Sequence, residues 1–187
     1  MNVGCIPSKA LLNATHKYHE ALHDYKELGI VAKDVTIDFA QLMRQKEKSV
    51  NGLTSGIEYL LKKNKVDYVK GKGRFSAMGE LEVDLMAGGK ETIKAKNIII
   101  ATGSTSCLLP GNTIEVDQKY VVTSTGALQL DRIPKKMVVI GAGVIGLELG
   151  SVYCRLGTEV VVIGNTDRIC PAMDTELAVA FKKSLDK

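Results

Sequence analysis

Met137-Val138-Val139-Ile140-Gly141-Ala142-Gly143-Val144-Ile145-Gly146-Leu147-Glu148 is the stretch on which the fold turns. Four apolar residues ending in a glycine loop read as a buried strand that stops at a ligand edge. A helical stretch from Leu147 to Leu156 follows, then Gly157 and a second apolar strand, Glu159 to Ile163. Glycines in the spacing G-x-G-x-x-G are weak evidence alone, but strand, loop, helix and strand within ~30 residues make a dinucleotide-binding βαβ unit. In that reading Gly141 makes the tight turn and Gly143 lets a pyrophosphate approach the amides of the helix N-terminus. Gly146, with Gly150, lets helix and strand pack closely. The candidate cofactor positions here are Gly141, Ala142, Gly143, Val144, Ile145, Gly146, Leu147 and Glu148.

One part of the fingerprint fails. The end of the second strand should carry an acidic residue for the adenosine ribose, and Gly164-Asn165 stand there instead, with neither an acid nor an arginine for a 2′-phosphate. Asp167 can substitute only if the loop bends back, so the residues leave the choice between NAD and NADP open.

Upstream, Pro134-Lys135-Lys136 marks a boundary, and residues 107–133 read as a connector with a turn at Pro110-Gly111-Asn112. Tyr120-Val121-Val122 is expected to pair briefly, and Ser124 to cap a short helix ending near Leu130. Before it, Asn97-Ile98-Ile99-Ile100-Ala101 is an uninterrupted apolar run, expected to be a strand buried on both faces and ending in Thr102-Gly103-Ser104. Between Val66 and Lys94 the period is two, with glycine turns at Met78-Gly79 and Ala87-Gly88-Gly89, which predicts a small antiparallel meander. Asp38 with Gln41 three residues on opens a helix running to about Lys63.

At the amino end stands Asn2-Val3-Gly4-Cys5-Ile6-Pro7-Ser8-Lys9, followed by apolar residues at helical spacing from Ala10 to Tyr25. Ser8 is expected to cap that helix, because Pro7 cannot continue it upstream without strain. The positive end of a helix dipole favours negative charge, so a sulfur at this mouth is primed for redox or nucleophilic chemistry. Cys5 is therefore the candidate catalytic residue. His16, His19 and His23 share a helical stripe, but no acid or cysteine completes a ligand set at nearby spacing, and no metal is assigned.

Composition excludes several classes. The 187 residues are 45% apolar, enough for a globular core, and 25 basic against 21 acidic residues leave a net charge of +4. The lysines are scattered without aromatic interleaving, which argues against a nucleic-acid surface. Cys5, Cys107, Cys154 and Cys170 form no C-x-x-C pair and no zinc spacing. No apolar run of spanning length and no targeting segment is visible, so neither membrane nor organelle is indicated by the residues themselves.

The segment Gly4-Cys5-Ile6-Pro7-Ser8-Lys9 resembles the second half of the redox motif of the flavin disulfide oxidoreductases, in which two cysteines separated by four residues lie over a flavin. Ile-Pro-Ser-Lys is closer to the dihydrolipoamide dehydrogenase branch than to mercuric reductase or glutathione reductase. The resemblance implies an α/β fold of incomplete FAD- and NAD(P)-binding Rossmann-like domains with the meander attached. Residues 1–106 would belong to the FAD-binding domain with its redox helix, and 134–187 would be the first βαβ part of the NAD-binding domain.

The resemblance further makes Cys5 the flavin-proximal sulfur and pairs Glu148 with Lys9 beside the flavin ring. Thr102-Gly103-Ser104 would match the segment that closes the flavin domain, and Gly71 and Gly73 the glycine pair at its adenosine. FAD and NAD are the implied cofactors. Dihydrolipoamide, or the lipoyl domain of a 2-oxo acid dehydrogenase complex, is the implied partner, with homodimers in full-length relatives and a mitochondrial matrix or cytoplasmic setting. Met1 falls one residue after the place of the first cysteine, so the resemblance implies a central part or shortened form that lacks the exchange sulfur and exposes apolar surface. The rival readings are a non-catalytic dinucleotide-binding remnant and a mercuric-reductase-like flavin reductase.

Overall fold

Small and β-branched residues set the carboxyl-terminal part of the fold. In the computed structural model, which describes residues 2–186, strands β4 (Lys136–Ile140) and β5 (Glu159–Ile163) pair in parallel, with Lys136 opposite Glu159 and Ile140 opposite Ile163. Parallel neighbours need a crossover, and helix α4 (Val144–Arg155) supplies it. The helix starts three residues earlier than its apolar pattern announces, because Gly143 is its N-cap and no side chain caps it. Gly146 is forced by packing: a Cβ there would lie 2.5 Å from the Gly141 carbonyl oxygen and 2.9 Å from Val139 Cγ1.

The remaining elements fall into two units, residues 1–52 with 108–187, and residues 53–107. In the first, α1 (Cys5–His23) packs on α4, as does the short α3 (Ser124–Ala127). Leu11, Leu42, Ala127, Leu128, Leu149, Val152, Tyr153 and Leu156 form its core. Tyr153 is fully buried, and its hydroxyl donates to the Ala127 carbonyl, pinning α3 against α4. Lys46 is buried on α2 (Phe39–Lys63), where its Nζ donates to the Leu128 carbonyl at 2.6 Å and pairs with Glu47 at 2.7 Å. Helix α5 (Thr175–Leu185) closes the chain with Asp174 as N-cap, accepting from the amides of Glu176 and Leu177.

In the second unit the meander is present. Strand β2 (Glu80–Leu85) lies between β1 (Gly71–Ala77) and β3 (Lys90–Lys94), antiparallel to both. Arg74 reaches Glu82 and Asp84 across the first pair, and Lys90 reaches Glu82 across the second. These exposed pairs favour the register but add little stability.

Several local expectations are corrected. Pro7 does not stop α1 upstream: it sits in the first turn, where its missing N–H would have had no helical partner, and the helix begins at Cys5 with Gly4 as N-cap. Ser8 is consequently inside the helix and does not cap it. Asp38 does cap α2, its Oδ1 accepting from the Gln41 amide at 2.8 Å. Asn97–Ala101 is not a strand, and Ile99 and Ile100 are 91% and 70% exposed. A central strand exists only with neighbours to bond, and no described strand lies beside this run. Val66–Val69 likewise forms no strand. Ser124 starts α3 with Thr123 as N-cap and no side-chain cap, and the helix ends at Ala127. Tyr120–Val122 does not pair either: Asp117 Oδ1 gathers the amides of Lys119, Tyr120 and Val121 into a turn.

Burial raises the Tyr153 phenol from 10.0 to about 12. A folded-state value raised above the unfolded one means stability that is complete below pH 10 and is lost as pH rises toward 12. Tyr153→Phe is therefore expected to lose about 1–3 kcal/mol at neutral pH, because the Ala127 carbonyl is left unpaired, and to show a smaller further loss at alkaline pH. Denaturant titrations at neutral pH and near pH 11 check both. The exposed Tyr120→Phe serves as control, with a change within about 0.5 kcal/mol.

Candidate functional site

The first unit brings two parts of the chain together at one place. Cys5 is the first residue of α1, exposed, with its sulfur free. One turn further along, Lys9 lies near the start of the same helix. From the other side α4 presents Glu148, in its second turn after the glycine loop. Lys9 Nζ and Glu148 Oε1 are 2.5 Å apart, joining residues 139 positions apart in the chain. Glu148 is the better shielded partner, its side chain 23% exposed against 63% for Lys9. An ion pair this open to water contributes little stability, so its value lies in where it holds the amine.

The carboxylate has a second anchor that the sequence reading missed. Ser8 is buried, and its hydroxyl lies 3.3 Å from Glu148 Oε2 and 3.4 Å from the Cys5 carbonyl. Its single proton is shared between two acceptors. Each carboxylate oxygen thus has its own donor from α1, one neutral and one charged. The only signal in the sequence is that Ser8 adjoins Lys9; the N-cap position falls to Gly4.

Around the glycine loop the backbone is bare. Gly141 has φ +108°, a conformation that side chains rarely adopt. Its amide donates to the Ile163 carbonyl at 2.7 Å, which fastens the loop to the end of β5. Ala142 is held from beyond β5, where the Cys170 amide donates to its carbonyl at 2.8 Å. A Cβ added to Gly143 would meet nothing within 4 Å. The first amides of α4, at Val144, Ile145 and Gly146, precede the first intrahelical bond, which the Leu147 amide makes to the Gly143 carbonyl at 3.0 Å. Uncapped amides beside an open glycine are a cradle an anionic pyrophosphate fits.

In the second unit, Gly73 lies in β1 with nothing within 4 Å of an added Cβ. Gly71 is different, because an added Cβ would lie 2.5 Å from the Asp84 carbonyl oxygen in its partner strand. Thr102, Gly103 and Ser104 are exposed and irregular, with Gly103 at φ +80° and open space around it. His16 pairs with Glu20 at 3.4 Å and the His19 and His23 rings lie 4.4 Å apart. Among the described residues no three ligating side chains are grouped to hold a metal, and no helix is long and apolar enough to cross a membrane.

The family model described as pyridine nucleotide-disulphide oxidoreductase matches residues 1–187. The chain belongs to that family. Leghemoglobin reductase of Vigna unguiculata is 56% identical over all of this chain and 35% of its own length. Mitochondrial dihydrolipoyl dehydrogenase of Pisum sativum is 54% identical, again over all of this chain and 37% of its own length. The chain therefore spans little more than a third of the length of these curated relatives. Among solved structures, LpdA from Mycobacterium tuberculosis superposes with a TM-score of 0.80 at 24% identity, covering 97% of this chain and 39% of that one. The HOCl-induced flavoprotein disulfide reductase RclA from Escherichia coli gives a TM-score of 0.73 at 25% identity, covering 99% and 38%. The family implies FAD and NAD as cofactors.

Glu148→Gln is expected to leave stability within about 1 kcal/mol of the unaltered chain, since the pair is largely solvated. It should nevertheless speed acylation of Lys9 by an amine-directed reagent, read by mass spectrometry, because the amine loses its charged partner. Unchanged labelling would mean that the carboxylate does not hold the amine.

Proposed function

We propose that this chain carries the thiol and dinucleotide-loop part of a flavin-dependent disulfide oxidoreductase that oxidises dihydrolipoamide with NAD as the final acceptor. The observation that supports it most is the meeting of Lys9 and Glu148, which ties the helix bearing Cys5 to the helix that follows the glycine loop. Relatives named dihydrolipoyl dehydrogenase or dihydrolipoamide dehydrogenase, at 52–54% identity, support the choice of substrate.

FAD, when bound, supplies the passage of two electrons between a thiol and a nicotinamide. Cys5 offers the sulfur, exposed at the positive end of α1. Lys9 contributes fixed positive charge near that helix mouth, and Glu148 keeps the ammonium aimed. The backbone from Gly141 to Leu147 would hold the pyrophosphate of the dinucleotide, and Gly73 with Thr102, Gly103 and Ser104 would hold the flavin nucleotide. In the overall reaction the two dihydrolipoamide thiols become a disulfide, NAD receives a hydride equivalent, and one proton is released.

We further assign residues 134–187 to the first βαβ part of a nicotinamide domain and residues 1–106 to a flavin domain. The family suggests 2-oxo acid dehydrogenase complexes, through their lipoyl domains, as the setting, and homodimers as the working form. Mitochondrial relatives favour the mitochondrial matrix over the cytoplasm.

Two alanine substitutions separate binding from folding. Gly143→Ala adds a methyl into open space at an ordinary φ of −85°, so stability should hold while NADH affinity falls on the order of tenfold or more, read by fluorescence titration. Gly146→Ala should instead destabilise the chain by about 1–3 kcal/mol, read by thermal denaturation, since its methyl meets backbone. NADH binding unaffected by Gly143→Ala would remove the loop from the proposed site.

A further inference from the structure

We infer that the nucleotide site at the end of β5 does not discriminate between NADH and NADPH. The inference rests on the dinucleotide reading of Gly141–Gly146 and concerns the other end of the same ligand. In a βαβ dinucleotide site the choice is made about 20 residues beyond the glycine loop. A carboxylate there accepts from the ribose hydroxyls and repels a 2′-phosphate, whereas an arginine does the reverse.

Here β5 ends at Ile163, and Gly164 occupies the deciding position. Its place against the loop is fixed by packing, because an added Cβ would lie 3.3 Å from Ala142 Cβ. The Ile163 carbonyl, one residue before, accepts from the Gly141 amide. Gly164 therefore stands beside the phosphate loop and carries no side chain at all. Asn165 follows, exposed and uncharged.

The next cation along the chain, Arg168, is turned toward α5. Arg168 Nη1 donates to Thr175 Oγ1 and Nη2 to the Pro171 carbonyl at 3.0 Å, fastening the loop to the start of α5. Thr166 Oγ1 donates to the Arg168 carbonyl at 2.8 Å, so that hydroxyl's proton is also taken. Gly164 and Asn165 thus put neither a carboxylate on the ribose nor a guanidinium on a phosphate. Asp167, the next acid along, lies three residues beyond Gly164 on the loop that Arg168 ties to Pro171 and Thr175. With nothing from Gly164 or Asn165 to favour one ribose over the other, the two nucleotides are left with the same pyrophosphate contacts. Specificity is a difference of affinities, and this edge supplies almost none.

The test is titration of the full chain with NADH and with NADPH, followed by fluorescence of the reduced nicotinamide. The unaltered chain should bind the two within about threefold of each other, and Gly164→Glu should shift the ratio toward NADH by about tenfold or more, the effect of one hydrogen bond to a charged group. Because the 3.3 Å contact with Ala142 can disturb folding of that variant, Asn165→Asp provides the same charge one residue on without it. A tenfold or greater preference in the unaltered chain overturns the inference and leaves the dinucleotide reading standing. So does a ratio that neither acidic variant moves. Binding of neither nucleotide overturns the dinucleotide reading itself, and this inference with it.

Discussion

The arrangement depends on how closely α4 can be surrounded. On one side it lies against β4 and β5, near enough that Gly146 has room for hydrogen and nothing larger. On another side α1 packs along it through the core that Leu11, Val152 and Tyr153 share. Burying a twelve-residue helix from two directions fixes its rotation and its height. Glu148 is consequently delivered to Ser8 and Lys9 by packing among apolar residues, and the ion pair is the result of that packing more than its cause.

The same helix has two different tasks at its start. Its first amides are uncapped beside a loop of glycines, which suits an anion, while its second turn carries a carboxylate tied to the thiol-bearing helix. The spacing between the tasks is one helical turn. A chain that loses the register of α4 by one residue would therefore lose the cradle and the pair together. Tyr153 guards that register further along through its bond to Ala127.

Much of this was legible in the residues. The βαβ unit could be read because strand, glycine loop and helix are all local patterns, and the meander because alternation and glycine turns are local too. Helix α5 opens on Asp174 and Glu176, an ordinary helix start that lies outside the βαβ pattern. Lys46 could not be foreseen: a lysine in a helix reads as solvated, and only the arrival of Leu128 from 82 residues away gives its ammonium a carbonyl inside the core.

The sequence by itself determined which segments become strand, loop and helix in the βαβ unit, because glycine and β-branched residues restrict the backbone wherever they stand. It also determined that a thiol and a lysine share the opening of α1, and that Gly164 and Asn165 stand directly after β5 where an acid would bind the ribose. Tertiary structure alone decided that Ser8 faces a carboxylate and not a helix amide, that Lys9 and Glu148 meet, and that the apolar run Asn97–Ala101 stays unpaired. The physical reason is that hydrogen-bond partners and strand neighbours are supplied by distant chain, and a residue's own composition cannot say whether they arrive.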